Sequence, residues 1–291
     1  MLSVDTPRRL RPPLARCLAL STVLLCATVL AGPAQAAARA AATPHRPTAG
    51  PFGGPVLNAP GFDTCAAPSV HDMAAWQSSS PYQAVGIYVG GSNRACAAGN
   101  LNASWVHAVT DQGWSLIPIY VGFQAPCVKG KGMSLMSTVK AAQQGAADAD
   151  DAASAAARLS IVPDSPVYFD LEAFNENNQG CVRTVTAFLN AWTTQLHTHG
   201  YLSGIYGSAD SGMATLVGIV RSQSGFAAPD AIWIAHWDRQ AKTADGSVPD
   251  TMWVYHQRIK QYQGGHVETH GGVSIDIDTD YLDGPVARVG S

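Results

Sequence analysis

Two carboxylates stand two residues apart at the end of an apolar run, in the segment Pro166-Val167-Tyr168-Phe169-Asp170-Leu171-Glu172. The run predicts a buried β-strand, and the alternation of side chains along a strand places Asp170 and Glu172 on the same side. Because neighbouring acids repel each other, we expect one of the two pKa values to rise, so that one group keeps its proton while the other is ionised. Hydrolysis of a glycosidic bond requires this division between a general acid and a charged carboxylate.

A structural role is the alternative for this pair, in which Asp170 or Glu172 forms a salt bridge with Arg183 or a lysine. Buried acids are costly unless they are compensated, and here two of them share one face. We therefore favour the functional interpretation. For Asp63, at the end of another predicted strand, the alternative is a turn cap, since an aspartate after a strand often has that role.

Seven more apolar runs alternate with helical segments along the chain. Eight strands alternating with helices predict an α/β fold, a TIM-like (β/α)8 barrel. Its last quarter is expected to be irregular, because residues 238–257 leave room for a short helix only and few residues separate the last two strands. An open doubly wound sheet is disfavoured, since no glycine-rich phosphate loop follows the first strand. The predicted strands are Gly61–Cys65, Ala84–Gly90, Ser115–Phe123, Pro166–Glu172, Leu202–Ser208, Ala231–Trp237, Arg258–Gln263 and Val273–Tyr281, and the predicted helices lie near Val70–Ser78, Leu101–Gln112, Ser137–Leu159, Val182–His199 and Ser211–Arg221.

The carboxyl ends of the strands in such a barrel meet at one rim, where active sites form. Carboxylates and aromatic rings at this rim would make a carbohydrate cleft, because sugars offer hydroxyl groups to carboxylates and flat C–H faces to rings. Packing inside the barrel is the alternative for the tyrosines, and a calcium site is the alternative for the aspartates of the last strand. The carboxylates are Asp63, Asp170, Glu172, Asp276, Asp278 and Asp280, and the predicted substrate-binding aromatic residues are Tyr88, Tyr120, Tyr206, Trp233, Trp237 and Tyr262.

The first 36 residues have the pattern of a secretion signal. A basic segment precedes the apolar run Leu18 to Leu30, and Ala34-Gln35-Ala36 is a small-residue cleavage site. The adjacent Arg8 and Arg9 leave the twin-arginine route and an ordinary signal equally open. We expect cleavage near Ala36 and a mature chain that is secreted or associated with the cell wall. A disordered linker rich in Ala, Pro and Gly is predicted over residues 37–59, the barrel over 60–285 and a tail over 286–291.

Charge and cysteine content limit the partners. Without the signal, the chain has 14 basic and 20 acidic residues, so electrostatics favours neither nucleic acid nor an anionic membrane, and no membrane span is expected in the mature chain. An even number of cysteines in a secreted protein predicts disulfides, and no CxxC pair indicates a metal site. Pairing between neighbouring rim loops predicts the disulfides Cys65–Cys96 and Cys127–Cys181. We expect no metal, no cofactor and a monomer, with His236 hydrogen-bonded rather than a ligand.

Five segments in order along the chain resemble the motifs of glycoside hydrolase family 25, the barrel lysozymes that cut peptidoglycan. They resemble more closely a related glycoside-hydrolase-like family, known as domain of unknown function 1906. The segments cover nearly the whole predicted barrel: Gly61-Phe62-Asp63, Tyr168-Phe169-Asp170-Leu171-Glu172, Trp233-Ile234-Ala235-His236-Trp237, Lys260-Gln261-Tyr262 and Val273-Ser274-Ile275-Asp276-Ile277-Asp278.

The resemblance implies that Glu172 is the general acid, and that Asp170 and Asp63 stabilise developing positive charge or position water. Asp276 corresponds to the acid on the final strand, with Asp278, a predicted substrate-binding residue, where the lysozymes often have asparagine. The implied function is a secreted glycosidase acting on cell-wall glycan, with a carbohydrate polymer as its partner. The alternatives are a barrel that binds or remodels cell wall without turnover, and a hydrolase of another polysaccharide.

Overall fold

The computed structural model describes residues 48–291. The predicted secretion signal and the first part of the predicted linker lie outside the described residues. Among the helices of residues 48–291, none combines the length and the apolar run that crossing a bilayer requires.

A closed barrel of eight strands forms the centre of the described chain, and a short ninth strand is added at its start. Each strand pairs with the next along the chain, and β2 also pairs with β9, which closes the barrel. The predicted eight-stranded barrel is therefore confirmed. The strands are β1 (Thr48–Ala49), β2 (Pro55–Asp63), β3 (Ala84–Gly90), β4 (Ser115–Tyr120), β5 (Pro166–Leu171), β6 (Leu202–Ser208), β7 (Ala231–Ala235), β8 (Arg258–His270) and β9 (Val273–Pro285).

The last barrel strand runs against the others. Strands β2 to β8 run parallel to one another, whereas β9 is antiparallel to both β8 and β2, and the short β1 is antiparallel to β2. Only Gly271 and Gly272 connect β8 with β9, both with positive φ (57° and 81°), and such a short link permits an antiparallel hairpin but no parallel crossover. The beginning of β9, and not its end, therefore lies beside the carboxyl ends of the parallel strands.

Helices follow β2 to β6 and agree closely with the predicted segments. Ser69, Asn102 and Asn178 cap the first, second and fourth helices, each accepting a hydrogen bond from the backbone N–H three residues later. The segment between β7 and β8 contains turns but no helix among its described residues, so the short helix predicted there is absent. The helices are α1 (Val70–Ser79), α2 (Ala103–Asp111), α3 (Ala141–Arg158), α4 (Gln179–Thr198) and α5 (Ala214–Ser222), the last preceded by a π-helical turn (Ala209–Met213).

Alternate side chains of the strands enter two separate cores. Tyr168 points into the barrel and meets Trp233 edge to face, with ring centroids 5.6 Å apart. The next residue, Phe169, points outward and packs on Phe188 and Trp192 of α4 at 5.0 and 5.1 Å. A fully buried phenylalanine contributes about 1.5–3 kcal/mol, so this outer layer fixes the barrel to its helices. The same alternation determines which side chains reach the mouth of the barrel.

Residues next to both predicted ends of the barrel, 55–59 and 286–287, pack against it. Residues 55–59, assigned to the linker from their composition, begin β2, where Val56 and Leu57 are buried against β9. Proline and alanine in this segment hide the strand pattern, and β2 begins at Pro55, five residues before the predicted boundary at residue 60. The predicted tail is also packed: Val286 is buried, and the Ala287 N–H donates to the Leu116 carbonyl (2.8 Å).

Candidate active site

The mouth of the barrel is organised around the end of β5, where Asp170 lies in the strand and Glu172 directly follows it. The buried side chain of Gln124, from the loop after β4, holds this end. Its Nε2 donates to the Asp170 carbonyl (2.8 Å), and its Oε1 accepts from the Glu172 backbone N–H (2.9 Å). The backbone that carries both carboxyl groups is therefore fixed by a neighbouring loop.

Asp170 is the buried member of the pair, with 6% of its surface exposed. Its Oδ1 has no hydrogen-bond partner among the described residues. Burial raises the pKa of Asp170 well above its ordinary value, and the negative charges of Glu172 and Asp63 raise this pKa further. Desolvation therefore contributes more to the raised pKa of Asp170 than the repulsion between acids, which is the cause that the sequence predicts. A buried carboxyl oxygen without a partner is costly, which indicates a position prepared to receive a group from outside the chain.

Glu172 is the exposed member of the pair and lines two cavities. The larger cavity, of about 340 Å³, extends towards Tyr206, His236 and Trp237. The smaller cavity, of about 180 Å³, extends towards Tyr88 and Met133 and is also lined by Asp170. Partial burial raises the pKa of Glu172 above its ordinary value. A carboxyl with a raised pKa at the junction of two cavities is suited to general acid catalysis.

Asp63, at the end of β2, accepts two hydrogen bonds in the floor of the mouth. Its Oδ2 accepts from Gln261 Nε2 (2.8 Å) and its Oδ1 from the Tyr88 hydroxyl (3.3 Å). Burial and the charge of Asp278 raise the pKa of Asp63 to about 7, although both hydrogen bonds act in the opposite direction. A third cavity, of about 10 Å³, lies between Asp63 and Asp170 and is close to the space of one water molecule.

Asp280 is a fully buried acid beside Asp63. Its Oδ1 accepts from Trp233 Nε1 (2.9 Å), while its Oδ2 has no donor among the described residues. Burial raises the pKa of Asp280 well above its ordinary value, and the charge of Asp63 adds to the shift. The side chains of Asp63 and Asp280 interact, so a proton on Asp280 would remove one of two adjacent charges.

Three aspartates on β9 rise from the barrel interior to its surface. Asp280 is buried, Asp278 is half-buried, and Asp276 is exposed. Asp278 stands directly opposite Asp63 in the β2–β9 register, and burial together with Asp276 raises its pKa to about 6. The structure thus brings Asp278 to the group around Asp63 and places Asp276 farther out, beside Val267 on the hairpin.

Three predicted substrate-binding aromatics lie at the cavities: Tyr88, Tyr206 and Trp237. The Tyr206 hydroxyl and Trp237 Nε1 both donate to Gln261 Oε1, at 3.0 and 2.9 Å. The Trp237 residue is 64% exposed, and its ring covers the backbone of Gly264, where a Cβ would lie 2.6 Å from the ring. Trp237 therefore offers an accessible, oriented face to a sugar.

The other three predicted aromatics are not brought to the accessible cleft. Tyr120 faces outward, packs on Trp192 and donates to Asp151 (2.9 Å), because it has the opposite parity to the inward-facing residues of β4. Trp233 points inward but is buried, so its ring forms the floor and offers no surface for stacking. Tyr262 is half-buried and does not line the cavities at Glu172.

The described residues include one group with the spacing of metal ligands: His236, Asp238 and Asp245. The fully buried ammonium group of Lys260 lies 2.7 Å from Asp238 Oδ2 and 3.1 Å from Asp245 Oδ2, and His236 Nδ1 lies 2.7 Å from the same Asp245 oxygen. Because the chain supplies its own cation here, the group does not fit a metal. It is an ion network that holds the loop after β7 against β8.

Both disulfides lie on the rim, with the predicted connectivity. Cys65–Cys96 joins the loops after β2 and β3, and Cys127–Cys181 joins the loop after β4 to the first turn of α4. The pairing of neighbouring loops is thereby confirmed. Both bonds therefore restrain loops that surround the Asp170 and Glu172 carboxyl groups.

Three residues that organise the site are absent from the predicted catalytic and substrate-binding sets. Gln261 connects Asp63 with two aromatic residues, Gln124 fixes the end of β5, and Asp280 shares the floor with Asp63. The signal for Asp280 was its shared parity with Asp276 and Asp278. Gln261 lies in a segment that resembles the lysozymes, but an amide has no titratable group to draw attention to it.

An eight-stranded barrel with clustered carboxyl groups and aromatic residues at its mouth is the architecture expected of a glycoside-hydrolase-like protein. The family model described as Rv2525c-like, glycoside hydrolase-like domain matches residues 74–282, and the chain belongs to this family. The matched range includes Asp170, Glu172 and Gln261 and begins after Asp63. No curated protein matches the chain in sequence.

Solved structures share the fold at low sequence identity. The Mycobacterium tuberculosis Tat-secreted protein Rv2525c, in complex with L-tartrate, is 13% identical with a TM-score of 0.53, over 78% of this chain and 96% of that one. An uncharacterized B. stearothermophilus protein is 17% identical with a TM-score of 0.50, over 77% of this chain and 95% of the other. At a lower TM-score of 0.49, which supports no inference about fold or function, the Clostridium perfringens spore cortex lytic enzyme SleM is 12% identical over 77% of this chain and 67% of that one.

Proposed function

We propose that the barrel is a glycoside hydrolase that acts on cell-wall glycan, peptidoglycan, with Glu172 as its general acid. The observation that carries this proposal is the position of Glu172, an exposed carboxyl with a raised pKa at the junction of two cavities. Buried Asp170 stands beside it with an unpartnered oxygen. A sugar in each cavity would place the glycosidic oxygen between them within reach of the Glu172 proton.

The two inner acids complete the reaction. As the bond breaks, the proton of Glu172 passes to the leaving oxygen, and positive charge develops at the anomeric carbon. That charge favours the ionised forms of Asp170 and Asp63, so each carboxyl would release its proton to solvent as the substrate binds and then act as a counter-ion. Water then adds to the anomeric carbon, and its proton returns to a carboxylate. Asp278 and Asp276 belong to the same acidic wall, while Tyr88, Tyr206 and Trp237 contact the sugar rings.

The proposed location is outside the cell or in the cell wall. The sequence at residues 1–36 has the pattern of a signal, and two disulfides favour an oxidising compartment. The structurally similar Rv2525c is described as Tat-secreted, which supports the twin-arginine route for the adjacent Arg8 and Arg9. Export would bring the mature chain, as a monomer, to the polymer that the cleft accepts.

The experiment measures release of reducing ends from purified peptidoglycan by the mature protein, with Glu172→Gln beside it. We expect a loss of 10²–10⁴-fold in rate for Glu172→Gln, the usual contribution of a general acid. Glu176→Gln is the matched control, because Glu176 is an exposed acid on the same loop that does not line the cavities at Glu172. Circular dichroism of all three proteins shows whether they are folded.

Equal activity of Glu172→Gln and wild type would remove Glu172 from the acid role. If the folded wild-type protein releases no reducing ends, hydrolysis of peptidoglycan is refuted. A pull-down on cell walls and an assay with other polysaccharides would then distinguish a binding barrel from a hydrolase of another glycan.

A further inference from the structure

The two cavities that meet at Glu172 differ in size and in what closes them. The larger, of about 340 Å³, ends at the exposed ring of Trp237. The smaller, of about 180 Å³, falls below the ~300 Å³ at which ordinary ligand pockets begin. It therefore has room for a single sugar unit, whereas the larger cavity leads out along the surface.

A wall of two interlocked loops closes the smaller cavity. Asn93 joins them: its Nδ2 donates to the carbonyls of Gly122 (2.7 Å) and Ser134 (2.9 Å), and its Oδ1 accepts from the Ser134 N–H (2.7 Å). Asn93 and Met133 both line the cavity, and so does Cys96, which is bonded to Cys65. Hydrogen bonds and a disulfide thus fix the loops at this end of the cleft, whereas the exposed ring of Trp237 borders the larger cavity.

The acids give the cleft a direction. Glu172 lines both cavities, so the bond that receives its proton lies between them. Of these two cavities, Asp170 lines the smaller but not the larger, and the carboxylate that stabilises positive charge must lie beside the sugar whose anomeric carbon reacts. The smaller cavity therefore holds the sugar on the non-reducing side of the broken bond.

We propose that the closed cavity binds the non-reducing terminal sugar of a glycan strand, so that the protein removes single units from that end. This inference rests on the proposed hydrolase function and adds the mode of attack. An open cleft would admit strands from both sides and cut them internally. The loop wall at Asn93 and Met133 would block any sugar beyond the first.

The test uses a peptide-free tetrasaccharide of alternating N-acetylhexosamines from peptidoglycan, labelled at its reducing end. The first labelled product should be a trisaccharide, together with one released monosaccharide. A labelled disaccharide as the first product would show internal cleavage and overturn the proposal while leaving hydrolysis intact. Absence of both cleavage and binding would refute the hydrolase function together with this inference.

A binding measurement on Glu172→Gln separates the closed end from catalysis. A bulky tag on the non-reducing end of the tetrasaccharide should weaken binding at least about tenfold, and the same tag on the reducing end should not; equal binding overturns the proposal.

Adding Met133→Ala should recover part of the lost affinity by opening the wall. Leu135→Ala is the matched control, because Leu135 lies on the same loop, is 42% exposed and does not line the cavity. Recovery of affinity by both variants or by neither would contradict the role of Met133 as the residue that blocks a second sugar.

Discussion

Replacing Lys260 by methionine should destabilise the barrel by about 3–5 kcal/mol, the range found when one partner of a buried ion pair is removed. The Lys260 side chain is fully buried, and it is paired with Asp238 and with Asp245, whose side chain is 3% exposed. Methionine is unbranched like lysine, lacks only the terminal heavy atom and loses the charge. The loss of unfolding free energy therefore measures the cost of a buried carboxylate without its cation, and not the cost of a cavity.

The expected loss is large against a total stability of about 5–15 kcal/mol. For a domain of this size, a melting temperature falls by about 2–4 °C per kcal/mol, so Lys260→Met should melt about 6–20 °C below wild type. Burial alone would raise the pKa of Asp245, but hydrogen bonds from Ser247, His236 and Lys260 together hold it well below its usual range. Because that pKa is lowered by folding, the stabilisation is present above the ordinary aspartate pKa of 3.8 and is lost as pH falls towards the lowered value.

Urea unfolding followed by tryptophan fluorescence at pH 7 measures the loss. Arg288→Met is the matched control, because the pair of Arg288 with Asp164 is exposed on both sides (59% and 46%) and should contribute less than about 1 kcal/mol. Adding Asp245→Asn to Lys260→Met should recover part of the stability by removing the unpaired charge. If Lys260→Met costs no more than Arg288→Met, the network is solvated and the reasoning fails.

Two further predictions concern the mouth of the barrel. Burial raises the pKa of Asp63 from 3.8 to about 7, so its stabilising contribution is complete below about pH 4 and is lost as pH rises through 7. Asp63→Asn should therefore exceed wild type in unfolding free energy at pH 8 but not at pH 4, and an equal difference at both pH values would contradict this. Replacing Cys127 and Cys181 by alanine opens a loop spanning 54 residues and should cost about 4 kcal/mol by loss of loop-closure entropy. A change below 1 kcal/mol in urea unfolding would show that the loop is held by its other contacts.

Most of the barrel can be predicted from sequence because its strands are buried on both faces and are separated by capped helices. Composition is misleading where prolines interrupt the apolar pattern of a strand. Pro55 and Pro60 flank the buried residues Val56 and Leu57 and make the start of β2 resemble a linker. Strand direction is harder to infer, since apolar periodicity is the same for both directions. Only the short link at residues 271–272 indicates that β9 turns back.

Site residues can be predicted from sequence where their side chains are chemically distinctive. They cannot be predicted where the direction of the side chain determines whether it reaches the site. Asp170 and Glu172 are recognisable because acids at the end of a buried strand are costly. Tyr120 is equally prominent in sequence, yet it faces the helices, and the two possible parities of β4 cannot be distinguished from its apolar run. Gln124 and Gln261 act through backbone and amide contacts that become visible only when separate strands are brought together.

The alternation of β8 explains why the acids at the mouth keep their raised pKa values. Lys260 and Gln261 are adjacent, so their side chains leave opposite faces of the strand. The ammonium group neutralises the outer loop acids Asp238 and Asp245, whereas the neutral amide faces Asp63. A shift of one residue in register would direct the cation inward, where an opposite charge would lower the pKa of Asp63 and prevent it from sharing a proton with Asp280. The chain thus keeps the buried positive charge of Lys260 on the face where it stabilises structure and leaves the acids of the cleft without a cation, which is the condition that the proposed proton transfer requires.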